Sequence, residues 1–194
     1  MRKALLSTAI AAMTMTFVSP VVADQAPRDN APTQMKRMSA PHDDPTFAMH
    51  MAQHHRDGIA MADAVIANGK SDSVKAMARR SRSDQQKDLA KLEHHRGDKA
   101  HESAQAAMPP KDPEMERGMA RLKAAKGAEA DRLFLELMIA HHASGLMMAH
   151  TAMPELGDTE LKSMAQNMFT KQAREIGELQ RLREGTRAAR TKPL

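Results

Sequence analysis

Two histidine pairs carry the chemistry this chain could do. His54-His55 and His141-His142 each have a methionine three residues before the first imidazole, Met51 and Met138. Each also has one seven residues after it, Met61 and Met148. Imidazole nitrogen binds Cu(I), Cu(II) or Zn(II), and a thioether is a soft donor that favours Cu(I). At about 100° per residue a helix puts Phe47, Met51, His54, Gly58, Met61 and Val65 on one stripe. Phe134, Met138, His141, Gly145, Met148 and Ala152 form the same stripe later in the chain, with His55 and His142 on the flanks.

The two stretches are copies. At an offset of 87 residues Phe47 falls on Phe134, Met51 on Met138, both histidine pairs on each other, Gly58 on Gly145 and Met61 on Met148. The match continues without a gap, placing Ser71 on Asp158, Met77 on Met164, Gln85 on Gln172 and Asp88 on Glu175. These later residues fall on a second stripe in each copy: Val74, Met77, Ala78, Ser81, Gln85, Asp88 and Leu92, and Leu161, Met164, Ala165, Met168, Gln172, Glu175 and Leu179. Folding each copy back at its turn sets His54 opposite Gln85, Met51 opposite Asp88 and Met61 opposite Met77. The second copy repeats this with His141, Met138 and Met148 facing Gln172, Glu175 and Met164. An unpaired buried polar group costs about 1–3 kcal/mol, so something must satisfy these.

A metal ion would do so, with the carboxylates as ligands or as acceptors that orient imidazole. Met51, His54, His55, Met61, Asp88, Met138, His141, His142, Met148 and Glu175 are the candidate ligating set. A di-iron bundle instead requires four carboxylates and Glu-x-x-His spacing, which is not present here. Copper fits the donors best, silver follows Cu(I), and zinc suits the imidazoles. Against this stands a plainer reading, in which the histidines are hydrogen-bonded core residues and the methionines flexible filler. Tandem histidines with the same methionine spacing, twice, favour the metal. His94-His95 is a secondary candidate.

The elements that must position these groups are helical. Residues 44–68 and 71–95 read as one hairpin, with Asp44-Pro45 starting the first helix and Ser71 capping the second. A connector through Pro109-Pro110 leads to a short helix from Asp112-Pro113 to about Lys126. A long helix from about Glu129 stops at Pro154, and Asp158 caps a last one running to about Arg183. The expected fold is all-α, a four-helix bundle of two duplicated hairpins (repeats about 44–98 and 129–184). Residues 1–23, with Arg2-Lys3 before an apolar run and Val22-Ala23 at its end, resemble an export signal. Residues 24–43 read as a disordered lead-in and 185–194 as a basic tail.

Composition excludes several functions. The 194 residues contain no Cys, no Trp and no Tyr, with 18 Met, 10 His and four Phe. Thiolate metal sites and disulfides are ruled out, and with only four Phe stacking on nucleic acid bases is nearly so. The net charge of +5 is spread over surface runs such as Arg79–Arg82 and reads as a solvated face. After the leader, no apolar run is long enough to span a membrane.

The stretches Phe47-Ala-Met-His-Met-Ala-Gln-His-His-Arg-Asp-Gly-Ile-Ala-Met-Ala and Phe134-Leu-Glu-Leu-Met-Ile-Ala-His-His-Ala-Ser-Gly-Leu-Met-Met-Ala resemble the bacterial family called domain of unknown function 305. Its core is Met-x-x-His-His-x-x-(Ala/Gly)-x-x-Met-Ala, followed by Gln-x-x-Glu-Ile. Gln172-Ala-Arg-Glu175-Ile176 matches that last element closely and Gln85-Gln-Lys-Asp88-Leu89 loosely, with Asp for Glu. The resemblance covers about residues 44–184. It implies a ferritin-like bundle in secreted proteins, some of which bind copper and contribute to copper tolerance.

The function expected from these residues is a non-enzymatic, periplasmic or secreted copper binder serving buffering, trafficking or resistance, with copper-export or copper-oxidase proteins as partners and no nucleic acid. A dinuclear-metal oxidoreductase and a metal-free envelope stress or structural protein are the alternatives.

Overall fold

The computed structural model describes residues 43–95 and 112–191, so the export signal, most of the lead-in and the connector lie outside the described residues. Five helices follow in order: α1 (Asp44–Asn68), α2 (Asp72–His95), α3 (Pro113–Ala124), α4 (Gly127–Ala152) and α5 (Thr159–Thr191). No strand occurs among the described residues. The α1–α2 and α4–α5 hairpins pack through α1 against α4, with a lighter α2–α5 contact, and α3 lies across α1 and α4. The expected four-helix bundle of two hairpins is therefore formed.

Local signals set the boundaries. Asp43 caps α1 through a 3.0 Å bond from Thr46 N–H, and Pro45 sits in the first turn. The expected cap, Asp44, instead lies within the helix. Asp112 caps α3 ahead of Pro113, and Asp158 caps α5 through Leu161 N–H at 2.8 Å. Gly127 alone has a positive φ among the described residues, 60°, which lets the chain turn tightly from α3 into α4. Helix α5 runs on to Thr191, well past Arg183. Nothing between the two breaks a helix, since Gly185 is tolerated in an exposed turn and Pro193 comes later.

The core has two halves. One holds Met61, Val65, Met77, Leu133, Phe134, Met138 and Leu179, closed over by Leu122 of α3. The other holds Phe47, Met51, Leu92, Ala149, Ala152, Leu161, Met164 and Met168. This distribution makes α1 and α4 antiparallel, and it leaves the histidine pairs in the layer between the halves. It also pools the methionines across the hairpins: Met61 and Met77 join Met138 at one end, while Met148 and Met164 join Met51 at the other.

Reciprocal carboxylates fasten the hairpins together. Asp131 on α4 is buried and accepts backbone N–H bonds from Lys70 (3.1 and 3.2 Å) and Ser71 (2.8 Å) in the turn of the first hairpin. Asp44 on α1 accepts from Gly157 and Asp158, both at 2.9 Å, in the turn of the second. Asp44 and Asp131 are themselves separated by the repeat offset. Each copy thus supplies the anion that satisfies the free amides at the start of the other copy's second helix.

Candidate metal centre

The mid-bundle layer uses both members of each histidine pair, in different interfaces. His54 and His141 face each other across the two hairpins as a stack, with ring centroids 3.7 Å apart and planes 7° from parallel. His55 and His142 turn inward to their own hairpins. They are fully buried, although the helical wheel puts them on the flank. The reason is that α1 and α4 have neighbours on two sides, so the buried face is wider than a single stripe.

His55 lies against Asp88, Nε2 to Oδ2 at 3.7 Å, and His142 against Glu175, Nε2 to Oε2 at 2.7 Å. The extra methylene of Glu175 closes a gap that the shorter Asp88 leaves open. Gln85 lies beside Gly58 and Gln172 beside Gly145. The axial register of both hairpins is therefore about one turn away from the pairing of His54 with Gln85 and Met51 with Asp88 that the turns suggest. Side chains lean toward the N-terminus of their helix, so in antiparallel neighbours the tips that meet come from Cα atoms at different levels.

Tautomers follow from the partners. A carbonyl only accepts, so His55 Nδ1–H donates to Met51 C=O at 2.9 Å and His141 Nε2–H donates to His54 C=O at 2.8 Å. His142 Nε2–H donates to the Glu175 carboxylate. In the neutral rings the remaining nitrogens, His55 Nε2, His141 Nδ1 and His142 Nδ1, carry lone pairs, and all three are buried without a hydrogen-bond partner. His54 Nε2, Gln85 Oε1 and Gln172 Oε1 share that condition. Burial first, then the neighbouring imidazoles His141, His55 and His142, holds the His54 pKa well below its ordinary value. Burial and His142 push His141 down to about 3. Both rings are neutral at pH 7, as a metal ligand must be.

The structure brings together in one layer His54, His55, Asp88, His141, His142 and Glu175, and places Met61 and Met138 on one side of it and Met51 and Met148 on the other. Among the described residues no three His, Asp or Glu side chains already close into a metal cage. Buried ring nitrogens without partners fit a soft, low-coordinate ion that methionines would help to complete. The Met77 sulfur accepts from Arg80 Nη2 at 3.1 Å, so that buried thioether already has a partner. His95, the secondary candidate, lies 3.9 Å from Asp158 and 3.8 Å from Glu160 at the bundle end, away from the layer.

Sequence reasoning missed the Asp44–Asp131 clasp, although the two residues coincide at the repeat offset. Gly58 and Gly145, which the sequence suggests as room beside an imidazole or for close helix approach, also face the glutamine amides. Each is a notch: a Cβ on Gly58 would lie 2.1 Å from Gln85 Oε1 and 2.7 Å from His141 Cε1. One on Gly145 would lie 2.4 Å from Gln172 Oε1 and 2.8 Å from His54 Nε2.

The profile of the family described as Domain of unknown function (DUF305) matches residues 22–96 and 44–183. The chain belongs to the DUF305 family. A Streptomyces coelicolor DUF305 structure, described as a candidate secreted protein, aligns with a TM-score of 0.61 at 20% identity, covering 76% of this chain and 96% of that one. A DUF305 fragment from Deinococcus radiodurans aligns at 0.59 and 22% identity, covering 75% and 97%. These DUF305 likenesses establish the fold. No curated protein matches the chain.

Proposed function

We propose that this DUF305 protein is an exported copper-binding protein that buffers, carries or detoxifies copper through the histidine–methionine layer of its bundle. One observation carries the reading. Ring nitrogens of all four paired histidines are buried without hydrogen-bond partners, between two ends of the core that each contribute methionines from both hairpins. A protein that bound nothing there would retain several polar atoms at about 1–3 kcal/mol each with no compensation. Imidazole with thioether is a donor set for Cu(I), and silver would follow it. His142, oriented by Glu175 through Nε2–H, presents Nδ1 in the arrangement that second-shell carboxylates impose on metal-binding histidines. The leader-like residues 1–23 support export, and no described helix is long and apolar enough to cross a membrane.

The dinuclear oxidoreductase reading needs carboxylates shared between two metals. Asp88 and Glu175 each engage the imidazole of their own hairpin, which disfavours it.

The test is titration of the purified protein with Cu(I) against a competing chelator, beside the His54/His55/His141/His142 quadruple Ala variant. Tight binding that disappears in a variant with unchanged helical circular dichroism supports the proposal. Equal affinity in the two proteins, or no tight binding by the wild type, overturns it.

A further inference from the structure

Gln85 and Gln172 are the least explained polar residues in the bundle. Both are buried, 4% and 5% exposed, and in each the amide oxygen has no hydrogen-bond partner. The Gln85 amide nitrogen is fixed by Ser81 Oγ at 3.1 Å, which aims Oε1 away from that hydroxyl. Each oxygen occupies the notch left by a glycine, and the other occupant of that notch is an imidazole from the opposite hairpin. Gln85 shares the space over Gly58 with His141, and Gln172 shares the space over Gly145 with His54. The same glycine–glutamine–imidazole cradle is built twice, at the repeat offset, with Ser81 added in the first copy alone.

The stack explains what the cradle would do. An imidazole lone pair lies in the ring plane, so two rings 7° from parallel direct their lone pairs side by side rather than toward one point. A centre using both rings requires at least one to leave the stack. When His141 turns, it breaks its Nε2–H bond to the His54 carbonyl and needs another buried acceptor.

We infer that Gln85 and Gln172 are positioning residues of the metal centre, each amide oxygen accepting the ring N–H of the opposing imidazole once that ring has turned to present its other nitrogen to metal. This rests on the copper reading above and specifies which groups hold the ligating histidines. It makes the centre a joint product of both hairpins, because each seats the other's ligand. It also gives each buried amide oxygen a donor, which arrives when the opposing ring turns.

The experiment compares the wild type with Gln85→Leu/Gln172→Leu in the full mature chain. Three quantities are read: Cu(I) and Ag(I) affinity by chelator competition, thermal unfolding of the metal-free protein, and imidazole N–H resonances of the Ag(I)-loaded protein. We expect affinity to fall 10- to 100-fold, the scale of lost orienting bonds around a metal. Metal-free Tm should hold or rise, since an unpaired buried oxygen has been removed. Slowly exchanging ring N–H signals should appear in loaded wild type and be missing from the variant. Should the double variant fail to fold, either single variant gives the same readouts. Unchanged affinity and N–H signals in the variant overturn the inference and leave the copper reading intact. An affinity loss matched by a lower metal-free Tm makes the glutamines structural and also overturns it. Absence of binding by the wild type removes both.

Discussion

His54 and His141, separated by the repeat offset, stack face to face at 3.7 Å across the junction of the two hairpins. Two protonated imidazoles could not occupy that arrangement, so the stack is a neutral-state structure. The unfolded chain protonates these rings near 6.5, whereas His141 in the native state does not until about 3, and His54 is lowered in the same direction. Between those values the unfolded state binds more protons, so stability rises with pH there. Metal-free protein should keep its full stability above about pH 6.5 and lose it as pH falls toward 3. Urea unfolding at pH 7, 5.5 and 4.5, on wild type and on His54→Gln/His141→Gln, checks this. The variant should show a shallower pH dependence, and equal slopes would mean that the stack does not set it.

Asp131→Ala should destabilise by about 2–3 kcal/mol, since it strips buried amides of a charged acceptor and removes a helix-start anion. Asp44→Ala, in the less buried copy of the clasp, should lose about 1 kcal/mol. Denaturant midpoints give both values. A larger loss for Asp44 than for Asp131 would contradict the burial argument.

Gly58→Ala and Gly145→Ala should each destabilise by about 1–3 kcal/mol through crowding. The crowded groups are a glutamine oxygen and an imidazole. That outcome opposes the gain of up to about 1 kcal/mol that alanine brings to a helix. Gly177→Ala on α5 is the control, because its Cβ would meet only Arg181 Nη1, at 3.6 Å. It should stabilise by about 0.5–1 kcal/mol. If Gly58→Ala stabilised the protein as Gly177→Ala does, the notch would not be tight.

Asp88→Glu should add no stability at pH 7, because the neutral His55 ring has given its one N–H to the Met51 carbonyl and Nε2 has none to offer a longer carboxylate. Glu175→Asp should cost about 0.5–1.5 kcal/mol, since the shorter side chain draws the acceptor away from His142 Nε2–H. Thermal unfolding of the two variants reads the pair, and a gain in Asp88→Glu as large as the loss in Glu175→Asp would refute the His55 tautomer.

Much of this was legible beforehand. The offset of 87 gave two hairpins, and 3.6-residue periodicity placed every residue of the expected α5 stripe, from Leu161 to Leu179, in buried positions. Capping types gave the starts of α2, α3 and α5. Other features needed the folded chain. Periodicity fixes the direction in which a side chain leaves its helix, and it leaves open the axial offset between helices. That is why Gln85 meets Gly58 one turn from its expected partner. Nor does a one-helix pattern tell which of two adjacent histidines faces its own hairpin and which the other; the packing of α1 against α4 decided that. The sequence by itself determined a duplicated helical hairpin with imidazoles, amides, carboxylates and thioethers on its buried faces. Only the tertiary structure decided that the copies complete each other, through the His54–His141 stack, the glycine–glutamine notches and the Asp44–Asp131 clasp. The stack and the clasp join residues of different hairpins, and each notch, built by a glycine and a glutamine of one hairpin, receives an imidazole of the other; no periodicity within one helix encodes a distance between two.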